Sequence, residues 1–173
     1  MVLHQKVHPD TPAPDTIRDA VARLSPQTGA RWGTLNSTGM LEHVARFHEI
    51  YLGRRPAPWP VRVLARLIGR PMIRKFLAIS PFEMQRGMRT LPGLRIDARE
   101  ATAESFETER AQMLETFDEI HALSGEVVHP LYGKMDADVV KALTRHHAAH
   151  HLAQFGVLES GDPEGRLRTG PPS

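Results

Sequence analysis

Apolar positions along this chain recur mostly at steps of three and four residues, the spacing that places them on one face of a helix. Ile17, Ala20, Val21 and Leu24 predict a short helix over Thr16–Leu24, with Asp15 as N-cap and Ser25-Pro26 closing it. A turn through Gly29, Trp32 and Gly33 leads to a second helix, capped by Asn36 or Ser37. Its stripe is Met40, His43, Phe47 and Ile50, with Leu41, Val44 and Tyr51 alongside, and it ends at Gly53 before the rigid connection RRPAPWP. Pro60–Gly69 and Pro71–Ile79 read as two short helices, each with proline at or near its first turn, apolar with arginines between. A loop from Ser80 to Gly93 has Met84, Met88 and Leu91 to bury, and Ile96–Thr102 is polar with no assigned structure. The third long helix covers Ala103–Leu123 with Phe106, Met113, Phe117 and Ile120 inward, until Ser124-Gly125 stops it. Val127 to Gly133 reads as a loop, and Asp136 caps a last helix that runs to about Leu158. No strand pattern of any length competes. The fold class expected is therefore all-α: an up-and-down four-helix bundle with a long connection between the second and third main helices. It occupies residues 15–158, behind an extended arm at 1–14 and ahead of a disordered tail at 159–173.

The last helix carries the chemistry. RHHAAHHLAQFG, Arg145 to Gly156, holds His146, His147, His150 and His151. His147 and His151 are four apart, so their Cβ atoms stand about 5–6 Å from each other on one helix face. Two imidazoles in that relation are the simplest pincer a helix offers a transition metal. Val140, Leu143, His147, His151, Gln154 and Leu158 form one stripe toward the core, and His146 and His150 fall on its flanks. His43 lies on the inward stripe of the second helix, with His48 beside that stripe as a polar edge residue. His48-Glu49 begins an HExxH motif, but Leu52 stands where the second histidine is required, so the motif fails.

Composition narrows the chemistry further. The chain has 173 residues, 40% of them hydrophobic, a formal charge of +2 and no cysteine. The length suits one domain. The small charge, with basic residues scattered and no aromatics interleaved, argues against a nucleic-acid partner. Without cysteine, any metal is held by histidine and carboxylate, and the protein offers no thiol nucleophile. The first residues, MVLHQKVHPDTPAPDT, have no apolar h-region, and no apolar run reaches the ~20 residues of a membrane span, so a cytoplasmic protein without a membrane partner is expected. The basic apolar segment near residues 60–79 reads as a packed excursion or a homodimer contact, with a membrane-surface helix as the other reading.

Several short strings carry a resemblance. Arg31-Trp32-Gly33, Met40-Leu41-x-His43, Pro81-Phe82, Thr90-Leu91-Pro92, His129-Pro130-Leu131-Tyr132-Gly133 and His147-x-x-His150-His151-Leu152-x-Gln154-Phe155-Gly156 resemble the DUF1569 family, within the DinB/YfiT-like superfamily of metalloenzymes. The resemblance covers about residues 30–158. It implies a DinB four-helix bundle in which one histidine of the second helix and an HxxxH pair of the last helix bind a divalent metal. By motif these are His43, His147 and His151. It also implies relatives that use low-molecular-weight thiols such as bacillithiol or mycothiol in transfer and isomerisation.

Three neutral imidazoles would leave a metal its full +2 charge and at least one open coordination position, as at catalytic sites. Zinc is the first expectation, with nickel or iron(II) also suited to imidazole. A thiol cosubstrate would have to come from outside. Gln154 and His129 are the catalytic candidates: Gln154 orients a ligand or bound water or else caps the helix end, and His129 shuttles protons at the bundle mouth or else bonds backbone. Glu42 points about 100° away from His43 and is expected in solvent. His150 is expected beside the site or on the surface, and Trp32 and Tyr132 in the core or lining the pocket. The readings left open are a metal-dependent transferase or hydrolase acting on a small molecule, a non-catalytic metal- or ligand-binding module, and a plain bundle whose histidines bond one another.

Overall fold

The computed structural model describes residues 6–55, 59–87, 96 and 102–161, apart from the side chains at 60, 61, 64, 66 and 70. In order the elements are α1 (Pro14–Ala22), α2 (Ser37–Tyr51), α3 (Trp59–Ala78), α4 (Ala103–Ala122), β1 (Glu126–His129), β2 (Gly133–Asp136) and α5 (Ala137–Gln154). Among the described residues the protein is mostly helical, with five helices and one two-stranded antiparallel sheet.

Local chemistry sets the helix ends. α1 starts earlier than the sequence suggests: Ala13 is the N-cap, and Pro14, whose φ is already helical, takes the first position, leaving Asp15 in the first turn rather than capping. The Asn36 side chain caps α2 by accepting from the Gly39 N–H at 2.8 Å. Thr102 and Ser105 form a reciprocal capping box at α4. Asp136 caps α5 by accepting from the Asp138 N–H. α5 ends at Gln154, short of Leu158, because Gly156 turns left-handed (φ +70°). Val157 N–H reaches back to Leu152 O and Gly156 N–H to Ala153 O, a Schellman closure.

Two further expectations need correction. Pro60–Gly69 and Pro71–Ile79 are one helix, α3, with Pro71 inside it. Pro71 and Leu67 both face solvent, so the Leu67 carbonyl deprived of its donor can be hydrated instead. The 127–133 segment, read as a loop, contains most of a hairpin pairing Glu126 with Asp136 and His129 with Gly133. Four-residue strands show too little alternation to register as a pattern.

The main core joins Ile17, Val21 and Leu24 of the α1 region, Met40, Leu41 and Val44 of α2, Phe106, Met113 and Phe117 of α4, and Ala148, Ala149 and Leu152 of α5. On another side of α5, Val139, Ala142 and Leu143 meet Ile73 and Leu77 of α3. α5 is thus covered from more than one direction. The segment before α1 adds to this cover: His8 N–H donates to Leu77 O, Ser80 Oγ to Asp10 Oδ2 at 2.6 Å, and Arg145 Nη1 to Pro12 O. Met84 is buried as expected. Met88, Leu91, the polar stretch 97–101 and the tail from 162 lie outside the described residues.

Candidate metal centre

α2 and α5 pack side by side and bring three histidine rings together. His43 and His147 are buried and His151 is half-buried. Their ring centroids stand 5.2 Å (43–147), 4.8 Å (43–151) and 4.7 Å (147–151) apart. One nitrogen from each ring lies within 4.8 Å of the other two, so the group could hold a metal ion. On a tetrahedral ion with bonds of about 2.0–2.1 Å such nitrogens stand about 3.3 Å apart, so side-chain shifts on the order of an ångström would close the group. Phe47, one turn beyond His43, stacks on the His147 ring at 3.9 Å.

Burial favours the neutral form of His147 and of His151. Burial holds His147 well below its ordinary pKa, with further lowering from His151 and His43. Burial likewise brings His151 to about 3, with His43 adding to the effect and the Gln154 hydrogen bond opposing it. His147 Nδ1 is buried with no protein partner. Neutral imidazoles with a nitrogen left unsatisfied are the donor set a divalent ion requires, and they fit one.

A family model described as "Protein of unknown function (DUF1569)" matches residues 5–157. The chain belongs to the DUF1569 family. No curated protein and no solved structure matches it.

In this DUF1569 chain Gln154 fixes the tautomer of one ring. Its Nε2 donates to Trp32 O at 2.7 Å, a carbonyl that can only accept. Its Oε1 therefore faces His151 Nδ1 at 2.9 Å, and that nitrogen must carry the proton. The lone pair of His151 is left on Nε2. The Gln154 main chain is tied to the same loop, its carbonyl accepting from Arg31 N–H at 2.7 Å. Gly33 lets the loop come this close: it has φ +82°, and a Cβ there would stand 2.7 Å from Gln154 Nε2. Gln154 is legible in the sequence but its anchor is not, since a main-chain carbonyl leaves no residue signature.

The other candidates are not among the three converging nitrogens. His129 ends β1, and its Nδ1 accepts from the Leu131 and Tyr132 N–H groups, so it holds the hairpin turn. Its ring stacks on Tyr132 and meets Tyr51 edge-on, which is the backbone-bonding role rather than a place in the group. His150 donates to Pro81 O and stands 5.3 Å from the His151 ring and 6.0 Å from Trp32. Trp32 is half-buried with the Arg86 guanidinium 4.2 Å over its ring, and Tyr132 packs against α3 and α5.

Three placements were misjudged from sequence. His48 is not an edge residue but wholly buried, bonded to Thr116 Oγ1 at 3.0 Å. His146 is no flank residue: it is fully buried between Phe76 and Thr11, because α3 and the N-terminal segment cover that side of α5. Glu42 is largely buried and paired with Arg46 one turn on, not solvated. A cavity of about 480 Å³ among α1, α4 and α5, lined by Arg18, His121, Lys141 and Arg145, shares no residue with the histidine group.

Proposed function

We propose that this chain is a metal-binding helical bundle of the DinB type, and that His43, His147 and His151 hold one divalent ion, zinc first, with nickel or iron(II) as the alternatives. The observation that carries the reading is the approach of three imidazole nitrogens, from two helices, to within 4.8 Å. A metal on three neutral ligands supplies Lewis-acid chemistry and lowers the pKa of a water or thiol bound to it. The chain's own residues do the positioning. Gln154 holds His151 in the tautomer that offers Nε2, and Phe47 stacked on His147 keeps that ring from rotating. The reaction class we propose is transfer from a low-molecular-weight thiol, or hydrolysis, on a small molecule in the cytoplasm.

One observation favours a second reading, a non-catalytic module that senses or sequesters a metal-bound ligand. Among the described residues no carboxylate joins the histidine group, and the near candidate Glu42 is engaged by Arg46. Proton transfer would then lack an obvious base.

Elemental analysis of protein purified without an affinity tag tests the site. One divalent ion per chain is expected, lost in His43→Gln and in His147→Gln with helicity retained. Stoichiometric metal in both variants would refute the ligand assignment. Panels of thiol-transfer and hydrolysis substrates then separate enzyme from module.

A further inference from the structure

Among the described residues the outer face of α3 is anomalous. Of the seven large apolar side chains exposed among the described residues, six belong to residues 59–79: Trp59, Val63, Leu67, Ile68, Met72 and Ile79. Trp59 and Leu67 are each 74% exposed. The helix is anchored by its opposite side, where Ala65, Gly69, Ile73 and Leu77 are buried at steps of four. Gly69 makes that contact close, since a Cβ there would stand 2.4 Å from the Tyr132 ring. A helix apolar on both faces, one of them uncovered, is not explained by packing within the chain.

Charge indicates what covers it. The helix carries Arg62, Arg66, Arg70, Arg74 and Lys75, and no acidic residue stands between Arg55 and Glu83. Arg62, Arg74 and Lys75 are exposed beside the apolar residues. A second copy docked through the same face about a two-fold axis would set the exposed cations Arg62, Arg74 and Lys75 against their own copies. An anionic lipid surface meets both features at once: the apolar side chains enter the boundary of the acyl region, Trp59 sits at its polar edge, and the basic side chains reach the headgroups. No helix among the described residues is long and apolar enough to cross a membrane, so the contact is with the surface.

We infer that α3 is a docking helix for anionic membrane surfaces, laid along the bilayer by its Trp59–Met72 face. Of the readings the sequence leaves for this segment, a packed excursion or homodimer contact and, secondly, a membrane-surface helix, this takes the second. It is independent of any metal at the histidines.

Co-sedimentation of the full chain with vesicles tests it, comparing phosphatidylcholine alone with phosphatidylcholine plus phosphatidylglycerol. Binding is expected only with phosphatidylglycerol, weakening as salt rises. Leu67→Asp should lower the partition coefficient at least about tenfold. Arg74→Gln with Lys75→Gln should lower it about thirtyfold, roughly fivefold per charge. All three positions are exposed, so unchanged far-ultraviolet circular dichroism is expected. No binding to the anionic vesicles, equal binding to both compositions, or binding unaffected by Leu67→Asp overturns the inference. So does a dimer by light scattering that Leu67→Asp splits, which would make the face a contact between copies.

Discussion

Acidifying the metal-free protein should weaken its fold before its carboxylates titrate, and His48 shows why. Thr116 Oγ1 donates its single proton to a main-chain carbonyl of its own helix, at Gln112 or Met113, so toward His48 it can only accept. His48 Nδ1 therefore carries the proton, and Nε2 is a bare, buried nitrogen with no partner. Protonating it would bury a cation without an acceptor, and burial accordingly brings the pKa down to about 3, with His121 adding to the lowering. His129 meets the mirror-image obstacle. Its Nδ1 already faces two N–H donors, and burial lowers it to about 4. Both folded values lie below the unfolded ~6.5, so each ring's contribution is complete above that pH and is lost as pH falls toward 4 and 3. Between pH 7 and 5 each costs about 2 kcal/mol, a figure that hardly changes while the folded pKa stays below about 4. Two such rings remove about 4 kcal/mol from a stability that is typically 5–15 kcal/mol. The assay is urea denaturation with a chelator present at pH 7, 6 and 5, for wild type and His48→Gln, whose amide can still donate to Thr116. The variant should lose about 2 kcal/mol less than wild type over that range. Equal losses in the two proteins, or a ring titration of residue 48 near 6.5 by NMR, would refute the reasoning.

Other outcomes follow from single contacts. Gln154→Leu should lower metal affinity about 10–100-fold by calorimetry, because His151 loses the acceptor that fixes its tautomer, while the ion-to-chain ratio at saturation stays at one. Gly33→Ala should weaken the same affinity without touching a ligand, since its Cβ displaces the Gln154 amide and the residue is strained at positive φ. Gly69→Ala should lower stability by about 1–2 kcal/mol in denaturant melts: overlap with the Tyr132 ring outweighs the ~1 kcal/mol helix-propensity gain. Phe117→Ala, at a fully buried site, should cost about 3–5 kcal/mol.

What the sequence discloses depends on whether an element has one buried face or several. α4 buries one stripe, and Phe106, Met113, Phe117 and Ile120 all lie where periodicity puts them; α2 is buried over most of its surface, and His43 is among the positions its stripe does place inward. α5 shows the limit. His147 and His151 are legible because their spacing is a property of one helix, and the resemblance added His43. His146 is not, because its burial comes from α3 and from residues near Thr11, more than a hundred positions away in the chain. The same non-local cover hides His48 behind Thr116. The hairpin escapes for a different reason: its turn is stitched by an imidazole taking two N–H groups rather than by an Asn-Gly pair. α3 reads as two helices in the sequence because the proline rule, which holds in helix interiors, relaxes where the orphaned carbonyl is wet.

The segment before α1 bears on how the chain assembles. Residues 8–12 bond to positions near 77–80 and again to Arg145 and His146, so neither set of contacts is local in sequence. Ordering so short a strand of backbone repays its lost entropy only after α3 and α5 have met, which makes its docking a late event on the folding route. Until then the His146 side of the last helix stays open to water, and exchange along that edge would continue after the main core has become protected.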